Sequence, residues 1–535
     1  MMNKFLIFIS VFLAGCGANQ ITKTTQTATS APTDIQESYL YSTSVYGKDY
    51  SGPSANVAVL LPMSGTTKTI GEDIRTSIET AFLRKPNPNI RVSFYDVSGE
   101  KTQRDEVIKT ALNTNPDVII GPVFAEDVST VRYYKPSNTP VISFTSDMNA
   151  LGNNVMTMNL IPSQSIETII NQMQIDGATN MIIFAPNDKS GQLMAAVADK
   201  TANLYKIPVV GIFYYDSGNS DSIKNASIRA SMYDTRSAAN TRAREVLSDI
   251  LNKESLDANT RANLKRQLEK ISRDDTLGQI PYNAVLFLGN GDDAKNISSF
   301  MRYYGVGNRD VAFYGTTLWH NSDIASDFTL SGAKYATLPE ISDNFKSLYN
   351  MMSGKDADYL AAFGYDAANL ALGLIYTQKS HDAYLFDPSG YIGTTGIFRI
   401  QPNGESERGL RIMELNGSGE INTIKPSPNN FISLTYNINT NNLTTLPERE
   451  LTTRGINPGD YITIPENLRR KSAYKTKTIG ANYRIDDETG TSDNLPAPVQ
   501  IYDSGENETV SDPEYKPVKL ETVSRKYIDS VEIEE

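Results

Sequence analysis

Cysteine is almost absent from these 535 residues: Cys16 is the only one. A lone cysteine excludes an intrachain disulfide, so the fold has no covalent staple even in an oxidising compartment. Histidine is nearly as scarce, with only His320 and His381. That argues against a multi-histidine metal centre, and neither a metal nor a cofactor is expected. A surplus of basic charge is missing too: 62 Asp and Glu against 50 Lys and Arg leave a net charge of −12. Binding nucleic acid without sequence preference requires cations to neutralise phosphates, so no nucleic-acid partner is expected. Long apolar runs are also lacking. The longest hydrophobic stretch, from Phe5 to Leu13, falls well short of the roughly 20 residues that span a bilayer.

What stands at the N-terminus is more specific. Lys4 precedes the apolar stretch, and Leu13-Ala14-Gly15-Cys16 closes it. A charged start, a short apolar core and small residues before the cut describe a signal peptide, here residues 1–15. The closing run resembles the lipobox of bacterial lipoproteins, which implies that Cys16 is acylated and becomes the first mature residue. Attachment by several acyl chains is stable where one chain is marginal. Gly17 follows the cysteine where inner-membrane retention calls for aspartate, so the resemblance implies the periplasmic face of the outer membrane, ahead of the inner membrane. Residues 16–53, rich in Thr, Ser, Gln and Ala, read as a flexible tether.

From Asn56 the pattern alternates. Val57–Leu61, Ile90–Tyr95, Asp117–Gly121 and Val141–Phe144 read as strands, and Ile70–Leu83, Gln103–Leu112 and Ala125–Tyr134 as the helices among them. The rhythm restarts after Pro162 with helix 166–175, strand 180–185, helix 191–205 and strand 209–214. Strands 284–288 and 310–314 follow, with helix 292–304 between them. Such alternation predicts an α/β fold with parallel sheets covered on both faces. Two successive units predict a two-lobed clamshell with a cleft between the lobes. The expected division is 54–164 plus 339–382 for the first lobe and 165–338 plus 383–416 for the second. Residues 217–280 form a charged insertion in the second lobe. There, Val246, Leu247, Ile250 and Leu251 face Leu264, Leu268 and Ile271 across a turn at Leu256-Asp257-Ala258, predicting an antiparallel helical hairpin. Its charges read either as a solvated face or as a docking arm for a partner. From 417 to 535 helical periodicity disappears, and a largely disordered polar tail is expected. Within it, Gly455–Pro465 is faintly similar to the closing part of a LysM glycan-binding repeat.

Motifs that carry chemistry fail on context. Gly289-Asn-Gly291-Asp-Asp-Ala294 matches a relaxed dinucleotide fingerprint, but it follows a late strand, and Asp292 and Asp293 stand where a pyrophosphate would approach. Ser331-Gly-Ala-Lys334, Ser342-Asp-Asn344 and Lys189-Ser-Gly191 mimic the β-lactamase set in the wrong order and spacing. With no nucleophile elbow and no zinc spacing, no enzymatic activity is expected.

Four stretches carry a resemblance: Val59-Leu-Leu-Pro-Met-Ser-Gly65, Asp117-Val-Ile-Ile-Gly-Pro122, Pro140-Val-Ile-Ser-Phe-Thr-Ser146 and Phe363-Gly-Tyr-Asp-Ala367. Together they resemble type I periplasmic binding proteins of the Leu/Ile/Val-receptor class. Asp275–Ala284, Tyr314-Gly-Thr-Thr-Leu-Trp319 and Asp387–Arg399 are similar to the penicillin-binding-protein activators within that fold. This implies a non-enzymatic regulator of peptidoglycan synthesis whose partner is a peptidoglycan synthase. Better-known members carry a helical-repeat domain before the clamshell, whereas here a short tether precedes it. The alternative is a solute receptor for amino acids or a related small ligand, read by the permease of an uptake system. On the receptor pattern Ser64, Ser143, Thr145 and Ser146 would hold a ligand carboxylate, and Ser190, Asn290 and Thr317 would line the cleft from the second lobe. The acid expected to meet an ammonium after Val311–Tyr314 is replaced by Gly315-Thr-Thr317, and the second-lobe tyrosine by Ser190. Losing a charge-assisted hydrogen bond costs about 1.5–3 kcal/mol, which weakens the receptor reading.

Overall fold

The computed structural model describes residues 26–27, 33–34, 53–253, 255–320, 323–377, 379–433, 443–451 and 456–469. The expected signal peptide, Cys16, most of the expected tether and most of the tail lie outside the described residues.

The first lobe is a parallel sheet of β1 (Ala55–Leu61), β2 (Ile90–Asp96), β3 (Val118–Ile120), β4 (Val141–Ser143) and β5 (Val155–Thr157), in the order β2-β1-β3-β4-β5. The run from Val57 to Leu61 is buried throughout because helices cover both faces. Those helices are α1 (Lys68–Arg84), α2 (Lys101–Leu112) and α3 (Ala125–Tyr134). The chain then crosses through Met158–Ile161 into α4 (Pro162–Ile175), with Pro162 at the first helical turn where its missing N–H is not needed.

The second lobe adds β6 (Met181–Pro186), α5 (Lys189–Leu204), β7 (Val209–Tyr215) and α6 (Ser220–Ala230). Then come α7 (Tyr233–Lys253), α8 (Ala258–Ile271), β8 (Ala284–Phe287), α9 (Gly291–Tyr303), β9 (Ala312–Gly315) and β10 (Lys334–Thr337). The chain returns to the first lobe, where α10 (Asp343–Ser353) and α11 (Tyr359–Tyr376) pack on α1. After α12 (His381–Leu385) it forms β11 (Tyr391–Gly393), β12 (Gly396–Ile400) and β13 (Ser406–Arg408). It ends in the second lobe with β14 (Arg411–Leu415) and β15 (Ile421–Lys425). The second sheet runs β15-β14-β10-β9-β8-β6-β7, parallel except for β14 and β15. The expected α/β clamshell with parallel sheets is what the chain builds.

The crossings are tied to one another. Arg408 donates to the Met158 carbonyl and to Thr395 Oγ1 at 3.0 Å, and it lies over the Phe363 ring at 4.1 Å. Burial lowers its guanidinium to about 10. Tyr359 of α11 reaches His320 of the second lobe, hydroxyl to Nε2, at 3.3 Å and donates to the Pro339 carbonyl at 3.1 Å.

Some elements depart from the sequence reading. β5 and β10 go unrecognised there because each is only three or four residues long, too short to carry a period of its own. The 217–280 insertion contains α6 as well as the hairpin; α6 packs on β7 and α9 as a regular lobe helix, and only α7–α8 project as a pair. Asp257 caps α8 by accepting from the N–H groups of Asn259 and Thr260, both at 3.0 Å. The tail from 417 onward is placed in three stretches. Residues 421–425 extend the second sheet, 443–451 run along the free edge of β7, and 456–469 fill the apolar seam of the hairpin. Ile456 and Ile462 are each no more than 7% exposed, so the LysM-like stretch buries these two isoleucines against the protein itself, as Leu468 does just beyond it. Two dipeptides of the expected tether are also paired: Gln26–Thr27 with Ile432–Ser433, and Thr33–Asp34 with Tyr391–Ile392.

Candidate functional site

Parallel strands deliver their C-terminal ends to one edge of a sheet, and the loops leaving that edge form a crevice. In the second lobe, β6, β8 and β9 end at Pro186, Phe287 and Gly315. The turns that follow enclose a cavity of about 470 Å³. Its apolar wall comes from Ile166, Met194, Leu288 and Leu318, and its polar groups from Asp188, Ser190, Ser217, Asn290 and Thr316.

Most of those polar groups are occupied in building the turns. Asp188 caps α5, accepting from Gly191 N–H at 2.8 Å, and Asn290 caps α9, accepting from Asp293 N–H at 2.8 Å. Behind Asn290, the buried Asp293 carboxylate accepts from the Ser217 hydroxyl and from Gly218 N–H at 3.1 Å, locking the β7–α6 loop to α9. Burial, then the charge of Asp293, pushes the Tyr215 phenol well up, so it stays neutral. Its hydroxyl fills the space where a Cβ on Gly289 would stand, 1.9 Å away. The fingerprint-like Gly289–Ala294 turn is therefore a capped strand-to-helix junction with a carboxylate beneath it, and a pyrophosphate would meet negative charge there.

Thr316 differs from its neighbours. It is 4% exposed, lines the cavity, and its Oγ1 has no hydrogen-bond partner among the described residues. The sequence reading chose Thr317. The structure puts Thr317 at the start of a 3-10 turn, half-buried and off the cavity wall, because β9 runs to Gly315 and Thr316 is still extended. The Trp319 ring stacks against Gly315, where a Cβ would lie 2.3 Å from it, and this contact sets the register of the turn.

Of the other residues expected to face a ligand, Ser190 and Asn290 line this cavity and the first-lobe group does not. Ser143 and Thr145 are fully buried: Ser143 Oγ donates to the Met156 carbonyl at 2.8 Å, and Thr145 Oγ1 accepts from Asp147 N–H at 3.1 Å. Both hydroxyls organise the β4–β5 end of the first sheet and stand apart from this cavity. Ser64 is exposed, on a loop held by Asp96, which accepts from Met63 N–H at 2.8 Å. Ser146 is half-buried. The cavity is thus walled by the second lobe and the first crossing alone. Met194, Leu288 and Leu318 went unnoticed in sequence because isolated apolar residues near turns carry no pattern. Among the described residues no group of His, Cys, Asp and Glu could hold a metal ion, and no helix is long and apolar enough to cross a membrane.

Two α/β lobes joined by several crossings, with a crevice at strand C-termini, define a clamshell binding protein. The chain belongs to the periplasmic binding protein family, whose model matches residues 54–383. Among curated proteins, the penicillin-binding protein activator LpoA of Pasteurella multocida is 22% identical over 183 residues, covering 32% of this chain and 31% of the relative. LpoA of Histophilus somni is 25% identical over 143 residues, covering 26% of this chain and 24% of the relative. The chain thus spans about a third or less of the length of the curated relatives it matches. A solved structure described as a branched-chain amino acid ABC transporter from Rhodospirillum rubrum superposes with a TM-score of 0.51 at 16% identity, over 69% of this chain and 100% of that one. Likeness at that level shows the fold alone.

Proposed function

We propose that this chain is a lipoprotein, acylated at Cys16 and held at the periplasmic face of the outer membrane, that regulates peptidoglycan synthesis by binding a penicillin-binding protein. It has no catalysis of its own. The observation that carries this reading is the similarity of a clamshell chain to proteins named penicillin-binding protein activators. The cavity adds support. At the turn after β9, where a receptor for an amino acid places a carboxylate to meet an ammonium, the wall presents Thr316, while the lining carboxylate Asp188 is engaged as the cap of α5. An ammonium facing a hydroxyl there loses about 1.5–3 kcal/mol of charge-assisted hydrogen bonding. Activation requires that the protein bind the active state of the synthase more tightly than the inactive one. The test is glycan-strand and cross-link formation by purified synthases of the same organism, with and without the mature chain. A raised rate with one synthase supports the reading, and unchanged rates with every synthase sink it.

A second reading is favoured by one observation, the unpartnered Thr316 Oγ1 in a cavity of about 470 Å³. In it, Ser190, Asn290 and Thr316 hold a small solute, Ser64 and Ser146 close over it from the first lobe, and a permease reads the closed form. Calorimetry and thermal shift on the full chain with amino acids, short peptides and muropeptides test this. Micromolar binding would raise the melting temperature by mass action, and no shift would remove the receptor reading.

A further inference from the structure

The hairpin helix α8 has two unlike faces. Leu264 and Ile271 are buried in the seam against α7, with Leu268 beside them. The opposite side carries Lys265, Arg266 and Lys270, and Arg273 follows just past the helix end; all four are exposed, with Glu269 among them and Asp274 and Asp275 directly after Arg273. None of these four cations forms an ion pair among the described residues, although ion pairs are frequent elsewhere on this acidic chain. The tail delivers the chain to that same helix. Thr463 pairs with the Gln267 side chain in both directions, N–H to Oε1 at 2.7 Å and Nε2 to carbonyl at 3.0 Å. Leu468 is buried in the seam, and the described chain leaves the hairpin at Arg469.

Beyond that exit the charge is sorted. Residues 470–484 contain five Lys and Arg and no acid, and residues 486–514 contain nine Asp and Glu and no Lys or Arg. From these placements we propose that the acidic stretch Asp486–Glu514 docks on the cationic face of α8 and the turn just past it, making Lys265, Arg266, Lys270 and Arg273 an internal anion-recognition surface. Reach permits it. The seventeen residues from Arg469 to Asp486 extend to at most roughly 55 Å, while the fourteen residues of α8 span about 21 Å. Exposed ion pairs are individually weak and screened by salt, so an untethered acidic peptide would hold poorly. Tethering at Arg469 makes the encounter intramolecular, and several weak pairs then act together. An external acidic surface would have to displace the tail to use this face.

The test is zero-length carbodiimide cross-linking of the full chain, with linked peptides mapped by mass spectrometry. Amide links from Lys265 or Lys270 to acids of 486–514, falling about fivefold or more between low and 0.5 M salt, are expected. Arg266→Glu with Arg273→Glu keeps both reporter lysines and should suppress those links to a similar degree, with helix content by circular dichroism unchanged. Links confined to Lys471, Lys475 and Lys477 would show that the acidic stretch pairs with its own basic neighbour, and would overturn the proposal. So would links insensitive to both salt and charge reversal, or none at all.

Discussion

Arg449 and Ile212 exchange a reciprocal pair of backbone hydrogen bonds, at 2.9 and 3.0 Å. Ile212 lies on β7, the edge strand of the second sheet, so a residue far beyond the last helix of the lobes blunts an exposed sheet edge. The Arg449 guanidinium anchors the contact, donating to Asp199 at 2.9 Å and to the Val209 carbonyl at 2.7 Å. Tyr214 adds a bond to the Leu446 carbonyl at 2.7 Å. The strap then continues to the hairpin, so the tail joins two parts of the second lobe.

Leu451, 5% exposed and packed in the second-lobe core, secures that strap. Leu451→Ala is expected to cost about 2–4 kcal/mol, read as a lowered urea midpoint. Ending the chain at 416 would uncover both the β7 edge and the hairpin seam. Limited proteolysis should then cut within α7–α8, sites the full chain protects.

Gly289 and Tyr215 should be energetically coupled. Gly289→Ala forces a methyl onto the phenol oxygen and is expected to destabilise by about 1–3 kcal/mol. Tyr215→Phe removes that oxygen, so the double variant should lose less than the sum of the two single changes. A double-mutant cycle in urea measures this, and additive losses would refute the contact.

Thr316 separates the two functional readings. A buried hydroxyl without a partner carries its desolvation cost, so Thr316→Val should leave the free protein unchanged or stabilise it by about 1 kcal/mol. If a solute uses that hydroxyl, the same change lowers its affinity; a synthase-stimulating adaptor loses nothing. Parallel thermal-shift and synthase assays on the one variant give the answer.

His320 makes the lobe contact sensitive to acid. Burial is the main cause that holds its imidazole below the usual value; Glu340 opposes the shift and Arg411 adds to it. The unfolded chain takes up a proton near pH 6.5, while the folded chain resists to lower pH. The contribution is therefore full above about pH 6.5 and declines as pH falls toward the folded value. His320→Gln should flatten the fall in stability between pH 7.5 and 5.5, measured by urea midpoints at each pH.

The two lobes were legible because burial on both faces of a parallel strand leaves unbroken apolar runs such as Val57–Leu61, and helices such as Ala125–Tyr134 carry their own period. The hairpin was legible for the same reason, since its stripes name each other across Asp257. The site was legible only in part. Ser190 and Asn290 sit in strand-to-helix turns that sequence can place, whereas Thr316 in place of Thr317 follows from how far β9 extends and how Trp319 packs on Gly315. Sequence also could not show that Ser143 and Thr145 are buried and hydrogen-bonded to their own lobe, since that depends on how β4 and β5 pack.

Composition alone excluded an intrachain disulfide, and local pattern determined the layered fold and the capped turns, because both depend on near neighbours in the chain. Tertiary structure alone decided that Arg408 ties the crossings together, that the cavity belongs to one lobe, and that residues 443–451 and 456–469 strap the second lobe. Those contacts join residues up to about 250 positions apart. No periodicity spans such a distance; only the packed surfaces bring the partners together.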